Sequence, residues 1–204
     1  MSMATSLLVT TTMWMLMMTV MMAPSTLPWL SGFAAMSRDQ KSGAMRRGWV
    51  ALFGLGYLTV WGGFSVVAAS LQMWLGDRAL LEGSLAVPAP LGALFLVGAG
   101  LYQVTPAKMA CLRHCRTPLS YFLSHWKDGP RGALRMGISH GAFCVACCWA
   151  LMLSAFALGL MSLAWMAALA AIVALETLAP GGARIGRLAG AAMVIWGLTL
   201  LVLR

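Results

Sequence analysis

The chain carries little charge, and acidic side chains are especially scarce. Charged residues make up 9% of its 204 residues, with 14 Lys and Arg against five Asp and Glu. A soluble domain usually carries about 25% charged residues. The sequence also lacks a nucleotide-binding glycine loop, a serine–histidine–acid order and paired carboxylates in an apolar segment. These absences argue against an ATP-driven pump or a hydrolase acting alone, and we favour a protein that is not an enzyme.

The chain is rich in long apolar segments. Its hydrophobic fraction is 61%, its mean hydropathy is +0.85, and no segment resembles a linker or a second soluble domain. Several apolar stretches exceed the roughly 20 residues that span a bilayer core as a helix. We therefore predict an all-α fold, a polytopic membrane helix bundle in which residues 1–204 form a single integral membrane domain.

About six transmembrane helices are expected. They are predicted at Leu7–Leu27, Trp49–Leu71, Leu85–Gln103, Leu134–Leu153, Leu163–Leu178 and Leu188–Leu203. Pro24 should kink or end the first, because proline removes a backbone donor. No basic residue precedes that first segment, so it is predicted to be a span and not a cleaved signal.

Basic residues set the expected orientation. Twelve of the 14 lie in the loops after the first, third and fifth spans: Arg38, Lys41, Arg46, Arg47, Lys108, Arg113, Arg116, Lys127, Arg131, Arg135, Arg184 and Arg187. Short loops rich in Lys and Arg stay in the cytoplasm. We predict a cytoplasmic (inner) membrane protein with both termini outside. Topology and anionic lipid account for the net charge of +9, so we expect the lipid bilayer as a partner and no nucleic acid.

Soft donor atoms form a stripe on the fourth span. All five cysteines and all three histidines lie between residues 111 and 148, and the stripe comprises Met136, His140, Cys144, Cys147 and Cys148. At 3.6 residues per turn these positions share one helix face. Thiolate, thioether and imidazole select Cu(I), while thiolate with imidazole also suits zinc. A histidine inside a span is costly and indicates function, although cysteine alone often only packs.

A second candidate cluster lies in the predicted cytoplasmic connection, where we expect short helices over about 104–131. Thr105-Pro106 is typical of a helix start, and it places Cys111, His114 and Cys115 close together on the following turns. Thiols in a reducing cytoplasm should be free to bind metal. Cys-x3-Cys is a weak metal signal, so this cluster is a less specific candidate than the stripe.

Methionines crowd the first span, six of them between Met13 and Met22. Such a run usually fills core space, although thioethers also suit Cu(I). If the spans align at Pro28 and Ala133, Met21 lies level with His140 and Met17 with Cys144. Met17 and Met21 are therefore the candidate thioether ligands.

Glu176 is the acidic residue of the fifth predicted span. We expect it to pair with Arg184, with a proton-relay role as the alternative. The spacing Gly186-x3-Gly190 on the sixth span is typical of close helix contacts.

The stretch from Tyr102 to Pro180 resembles a bacterial family of uncharacterised, predicted metal-binding integral membrane proteins. The residues that carry the resemblance are YQVTPAKMACLRHCRTP, HWKDG, RMGISHGAFCVACCW and WMAAL, and the N-terminal WMLMMTVMMAPS fits the family as well. The resemblance covers nearly the whole chain. It implies a membrane protein that binds metal through these histidines and cysteines.

The leading functional hypothesis is a membrane protein that binds a soft transition metal, with copper favoured over zinc. It would hold, pass on or insert that metal, and an accessory subunit beside other membrane-protein subunits is one form that this role could take. One alternative is a thiol-redox protein that uses Cys147 and Cys148 or the pair Cys111 and Cys115. Another is a purely structural subunit of a membrane enzyme complex.

Reporter fusions test the predicted topology. Fusions after Gly43, Gly129 and Gly182 should report the cytoplasm, because each follows an odd-numbered span in a basic loop. Fusions after Gly83 and Arg204 should report the outer side. A cytoplasmic signal from the fusion after Arg204 would contradict the six-span arrangement.

Overall fold

In a computed structural model, which describes residues 3–38, 46–81, 85–160 and 162–202, the chain is all-α, as the sequence predicts, and no β-strand occurs in the described ranges. Its helices there are α1 (Met3–Met36), α2 (Arg47–Asp77), α3 (Ala89–Gln103), α4 (Pro106–Cys115), α5 (Pro118–His125), α6 (Gly129–Leu153), α7 (Ala155–Leu158), α8 (Leu163–Leu178) and α9 (Gly182–Val202). Five residues named in the sequence predictions lie outside the described residues: Lys41, Gly43, Gly83, Leu203 and Arg204.

A helix occupies each of the six predicted spans, but the helices differ in length. Within the described ranges four are long and apolar enough to cross a membrane, namely Ser6–Met36, Arg47–Asp77, Gly129–Leu158 and Gly182–Val202. Helices α3 and α4 would count as a fifth only as a pair bent by 67°. The 15 residues of α3 cover about 22 Å, which is shorter than a typical hydrocarbon core. The count of six spans stays a prediction.

Helix α1 is longer than predicted, and the expected end near Leu27 is wrong. It continues through Pro24 and Pro28 to Met36. Trp29 and Phe33, which follow the prolines, are almost completely buried. Burying an aromatic side chain contributes on the order of 2 kcal/mol, so packing of this last section offsets much of the cost of a proline in a helix.

Glycines allow the closest helix contacts. A methyl group at Gly56 of α2 would overlap the carbonyl oxygen of Leu134 in α6, and one at Gly137 would overlap the carbonyl of Phe53. The predicted close contact of Gly190 is confirmed, because a methyl there would meet Gly100 and Gln103 of α3. These contacts hold α2 against α6 and α3 against α9 with the backbones nearly touching.

The short helix α4 begins as its sequence predicts. The Thr105 hydroxyl accepts a hydrogen bond from the backbone N–H of Lys108 at 3.2 Å, and Pro106 takes the first helical position. Helix α5 likewise begins at Pro118, but Thr117 makes no side-chain cap there. Phe122 of α5 is buried, whereas Leu119 and Leu123 are exposed. The two short helices therefore lie against the bundle, and α5 turns an apolar edge outward.

A pair of glycine substitutions on α2 tests the contact with α6. Gly56→Ala should lower the unfolding temperature, because the backbone of α6 must move away, a change that typically costs about 1–3 kcal/mol. Gly62→Ala is the matched control, since a methyl there meets nothing within 4 Å and alanine favours helix. Thermal unfolding in detergent, followed by circular dichroism, compares the two. Equal unfolding temperatures would contradict the contact.

Candidate metal site

The stripe on α6 faces the interior of the bundle. Its five side chains are all at most 5% exposed: Met136, His140, Cys144, Cys147 and Cys148. The same face of α6 packs against α2 and α4, while Phe143 and Trp149 on other faces are more than a third exposed. The helical spacing therefore places every donor of the stripe on one buried surface.

Two clusters that are separate in sequence meet at Cys147. Cys115 on α4 and Cys147 on α6 are buried in the same core, and their thiols are electrostatic neighbours. Cys111, one turn earlier on α4, is within electrostatic range of Cys147. The described cysteines form no disulfide. The structure thus gathers thiols from the connection and from α6 into one place.

Cys144 and Cys148, the other two cysteines of α6, have neighbours on α1 and α2. The Cys148 thiol points at the thioether sulfur of Met22 at 3.8 Å and donates to the carbonyl oxygen of Cys144 at 2.9 Å. The Cys144 sulfur lies 3.5 Å from the hydroxyl oxygen of Tyr57. A thiol and a thioether, both soft donors, are therefore adjacent inside the bundle.

His140 is buried in an aromatic setting without a polar partner. Its ring stacks on Trp29 with the centroids 3.9 Å apart, and the ring of Tyr57 lies 5.3 Å away. Neither Nδ1 nor Nε2 has a hydrogen-bond partner. Leaving a buried polar group unsatisfied costs about 1–3 kcal/mol. An imidazole kept at that cost has an electron pair available for a ligand.

His114 on α4 also stacks on Trp29. The rings of Trp29 and His114 are 5.4 Å apart, and the buried Nε2 of His114 has no hydrogen-bond partner. Burial, with a smaller contribution from His125, lowers the pKa of His114 below its ordinary value. His114 is therefore neutral at neutral pH and able to bind a metal. The Trp29 indole N–H donates to the Cys115 carbonyl oxygen at 2.9 Å and ties α1 to α4.

The expected pairing of Glu176 with Arg184 is wrong. Glu176 bonds Lys108 instead, with 2.7 Å between Nζ and Oε2, and it accepts a second hydrogen bond from the Gln103 amide. Both charged side chains are 1% exposed, and Lys108 is an electrostatic neighbour of Cys147. Lys108, which sequence reasoning missed, lies on the same face of α4 as Cys111 and Cys115, at offsets of one and two turns. This spacing is the feature of the sequence from which Lys108 could have been identified as a neighbour of the two cysteines.

The expected register between α1 and α6 is also wrong. Trp29 lies level with His140 in place of Met21, and Met22 meets Cys148. The shift of about eight residues equals the extension of α1 from Pro28 to Met36. Met17 and Met21 are buried in the same core as the thiols, and the thioether that lies against Cys148 is that of Met22. Met22 and Tyr57 are the neighbours of the α6 thiols that this error concealed.

The donors converge in pairs. Among the described residues no group of three or more Cys, His, Asp or Glu side chains is arranged to hold a metal ion. A closed structural zinc site takes four nitrogen or sulfur ligands, and the structure contains no such set in the described ranges. A pair of thiols and a thiol–thioether pair each supply only soft sulfur ligands. Soft ligands of this kind favour Cu(I).

Comparison with known proteins returns one family. The PpoB2 family model, described as a copper chaperone, matches residues 11–200. That range includes every candidate donor on α1, α4 and α6. No curated protein and no solved structure matches the chain.

Proposed function

This chain belongs to the PpoB2 copper-chaperone family, and we propose that it is an integral membrane protein that holds Cu(I) between α4 and α6 and passes it to a partner protein. The placement of the Cys115 and Cys147 thiols as neighbours in one buried core is the observation that carries the proposal. It joins two soft donors from different helices in the interior, where water cannot compete for the metal. Copper is the cargo in this account.

Donors follow one another along α6 and offer successive positions for the ion. His140 and Cys148 are eight residues apart, which corresponds to about 12 Å along a helix. Cys144 and Cys147 lie between them, and Met22 stands beside the last thiol. Ligands held in pairs leave room for an incoming donor, so a copper ion can exchange between them. A closed cage would favour storage, whereas this arrangement favours delivery.

The surface of the bundle supports placement in a bilayer. Large apolar side chains project outward from several helices, among them Leu8, Val20, Leu55, Leu163 and Val202, each more than half exposed. Exposed apolar area on this scale is unusual for a soluble monomer. We propose the inner membrane with both termini outside, which puts α4 and its donors at the cytoplasmic face. Other membrane-protein subunits are the proposed recipients of the metal.

The same pair of thiols also favours a second candidate function. A thiol-redox protein would use these two neighbouring cysteines as a reversible disulfide between α4 and α6. Forming it would release two electrons and two protons to an external disulfide. A redox protein should show this pair alternating between thiol and disulfide as the oxidant changes, with no dependence on copper.

Competition with a Cu(I) chelator tests the copper site. His140→Ala and Cys147→Ala should weaken Cu(I) binding strongly, because each removes a buried donor. Cys111→Ala should weaken it less, since Cys111 is only half-buried. A His140→Ala/Cys144→Ala double variant that keeps the wild-type copper stoichiometry would show that these two side chains are not ligands of the site. Wild-type protein that cannot compete at all would favour the structural-subunit alternative.

Two methionine variants separate ligation from packing. Met22→Leu should lower the Cu(I) affinity, because it removes the sulfur beside Cys148 while conserving apolar volume. Met15→Leu is the control on the same helix, since the Met15 sulfur instead accepts from the Ser65 hydroxyl. Met17→Leu and Met21→Leu belong in the same titration as the remaining candidate thioethers. Indistinguishable affinities for Met22→Leu and Met15→Leu would mean that Met22 only packs in the core and does not bind copper.

A further inference from the structure

A cationic cavity separate from the thiols lies between α4 and the start of α9. Its volume is about 520 Å³, within the range of ligand pockets. Arg113 and Arg116 of α4 and Arg187 of α9 line it, and no acidic side chain of the described residues does so. The nearby Glu176 carboxylate is bonded to Lys108 and Gln103. The cavity therefore concentrates positive charge that the protein does not neutralise inside it.

The three arginines differ in how far their hydrogen-bond donors are used within the protein. Arg116 donates from both terminal nitrogens to the carbonyl oxygens of Glu176 and Ala179, so it completes the C-terminal end of α8. Arg187 donates a hydrogen bond from Nε to the carbonyl oxygen of Ala183 at 3.3 Å. Arg113 and Arg187 are both exposed. Their terminal N–H groups are the donors that can bind an anion, and the guanidinium fork matches a phosphate.

The remainder of the cavity wall is apolar. Val104, Met109 and Leu112 come from the end of α3 and from the same face of α4 that carries the arginines. The first turn of α9, at Gly182 and Ala183, adds the positive end of a helix dipole. Positive charge beside an apolar wall fits an amphiphile better than a free ion.

We infer that this cavity binds the phosphate headgroup of an anionic phospholipid, with Arg113 and Arg187 contacting the phosphate and Val104 and Met109 contacting its glycerol and first acyl carbons. The inference rests on the membrane placement in the proposed function and not on the copper site. Basic pockets between helices at the cytoplasmic face are typical sites for anionic headgroups. A bound lipid would link α4, which carries Cys111 and Cys115, to α9.

Native mass spectrometry of the purified full-length protein tests the site. The protein is titrated with dioleoyl phosphatidylglycerol or with dioleoyl phosphatidylcholine, and the retained lipid is counted. Wild type should retain the anionic lipid preferentially. Arg113→Gln/Arg187→Gln should weaken that retention about tenfold or more, because hydrogen bonds to a charged group are lost. Arg47→Gln/Arg131→Gln is the matched control, with the same loss of charge at exposed positions outside the cavity, and it should resemble wild type.

Three results would overturn the inference. The first is equal retention by the two double variants, which would reduce the effect to net charge. The second is equal retention of the two lipids by wild type. The third is displacement of the lipid by excess inorganic phosphate, which would make this a site for free phosphate. Copper titration of Arg113→Gln/Arg187→Gln should match wild type, so a lost lipid site leaves the copper proposal standing. Release of wild-type protein from carbonate-washed membranes would instead contradict the proposed membrane placement.

Discussion

The buried ion pair between Lys108 and Glu176 is the interaction on which the candidate site depends. Its two charged atoms are 2.7 Å apart, and both side chains are 1% exposed. Removing one partner of such a pair typically costs about 3–5 kcal/mol, because the other charge is left buried and alone. Gln103 and Arg116 reinforce the pair by bonding the Glu176 carboxylate and carbonyl. Together these contacts fix α4 to α3 and α8.

Fixing α4 determines where its donors lie. Helix α4 is only ten residues long, and a helix of that length is marginal without tertiary contacts. The Thr105 cap begins it, the ion pair anchors its first turn, and the Trp29 indole bonds the carbonyl of its last residue, Cys115. Held at both ends, α4 presents Cys115 to Cys147. The copper proposal and the lipid site on the neighbouring cavity both follow from this one placement.

The parts of the site that follow from local sequence were predictable. The stripe from Met136 to Cys148 shares a face because helix periodicity is local, and the start of α4 follows from Thr105-Pro106. The placement of Cys115 beside Cys147 was not predictable, because it depends on how α4 docks, and no local pattern encodes that position. The register of α1 failed for a related reason. Its end was assigned at the prolines, whereas burial of Trp29 and Phe33 carries the helix onward.

Copper K-edge X-ray absorption of the Cu(I)-loaded protein tests the central claim most directly, that thiols from α4 and α6 hold the metal together. The account predicts a Cu(I) edge with sulfur as the dominant neighbour. It also predicts that Cys115→Ser/Cys147→Ser loses much of that sulfur signal, while Met15→Leu keeps it. A spectrum of the wild-type protein with only nitrogen or oxygen neighbours, or one unchanged in the double variant, would contradict it.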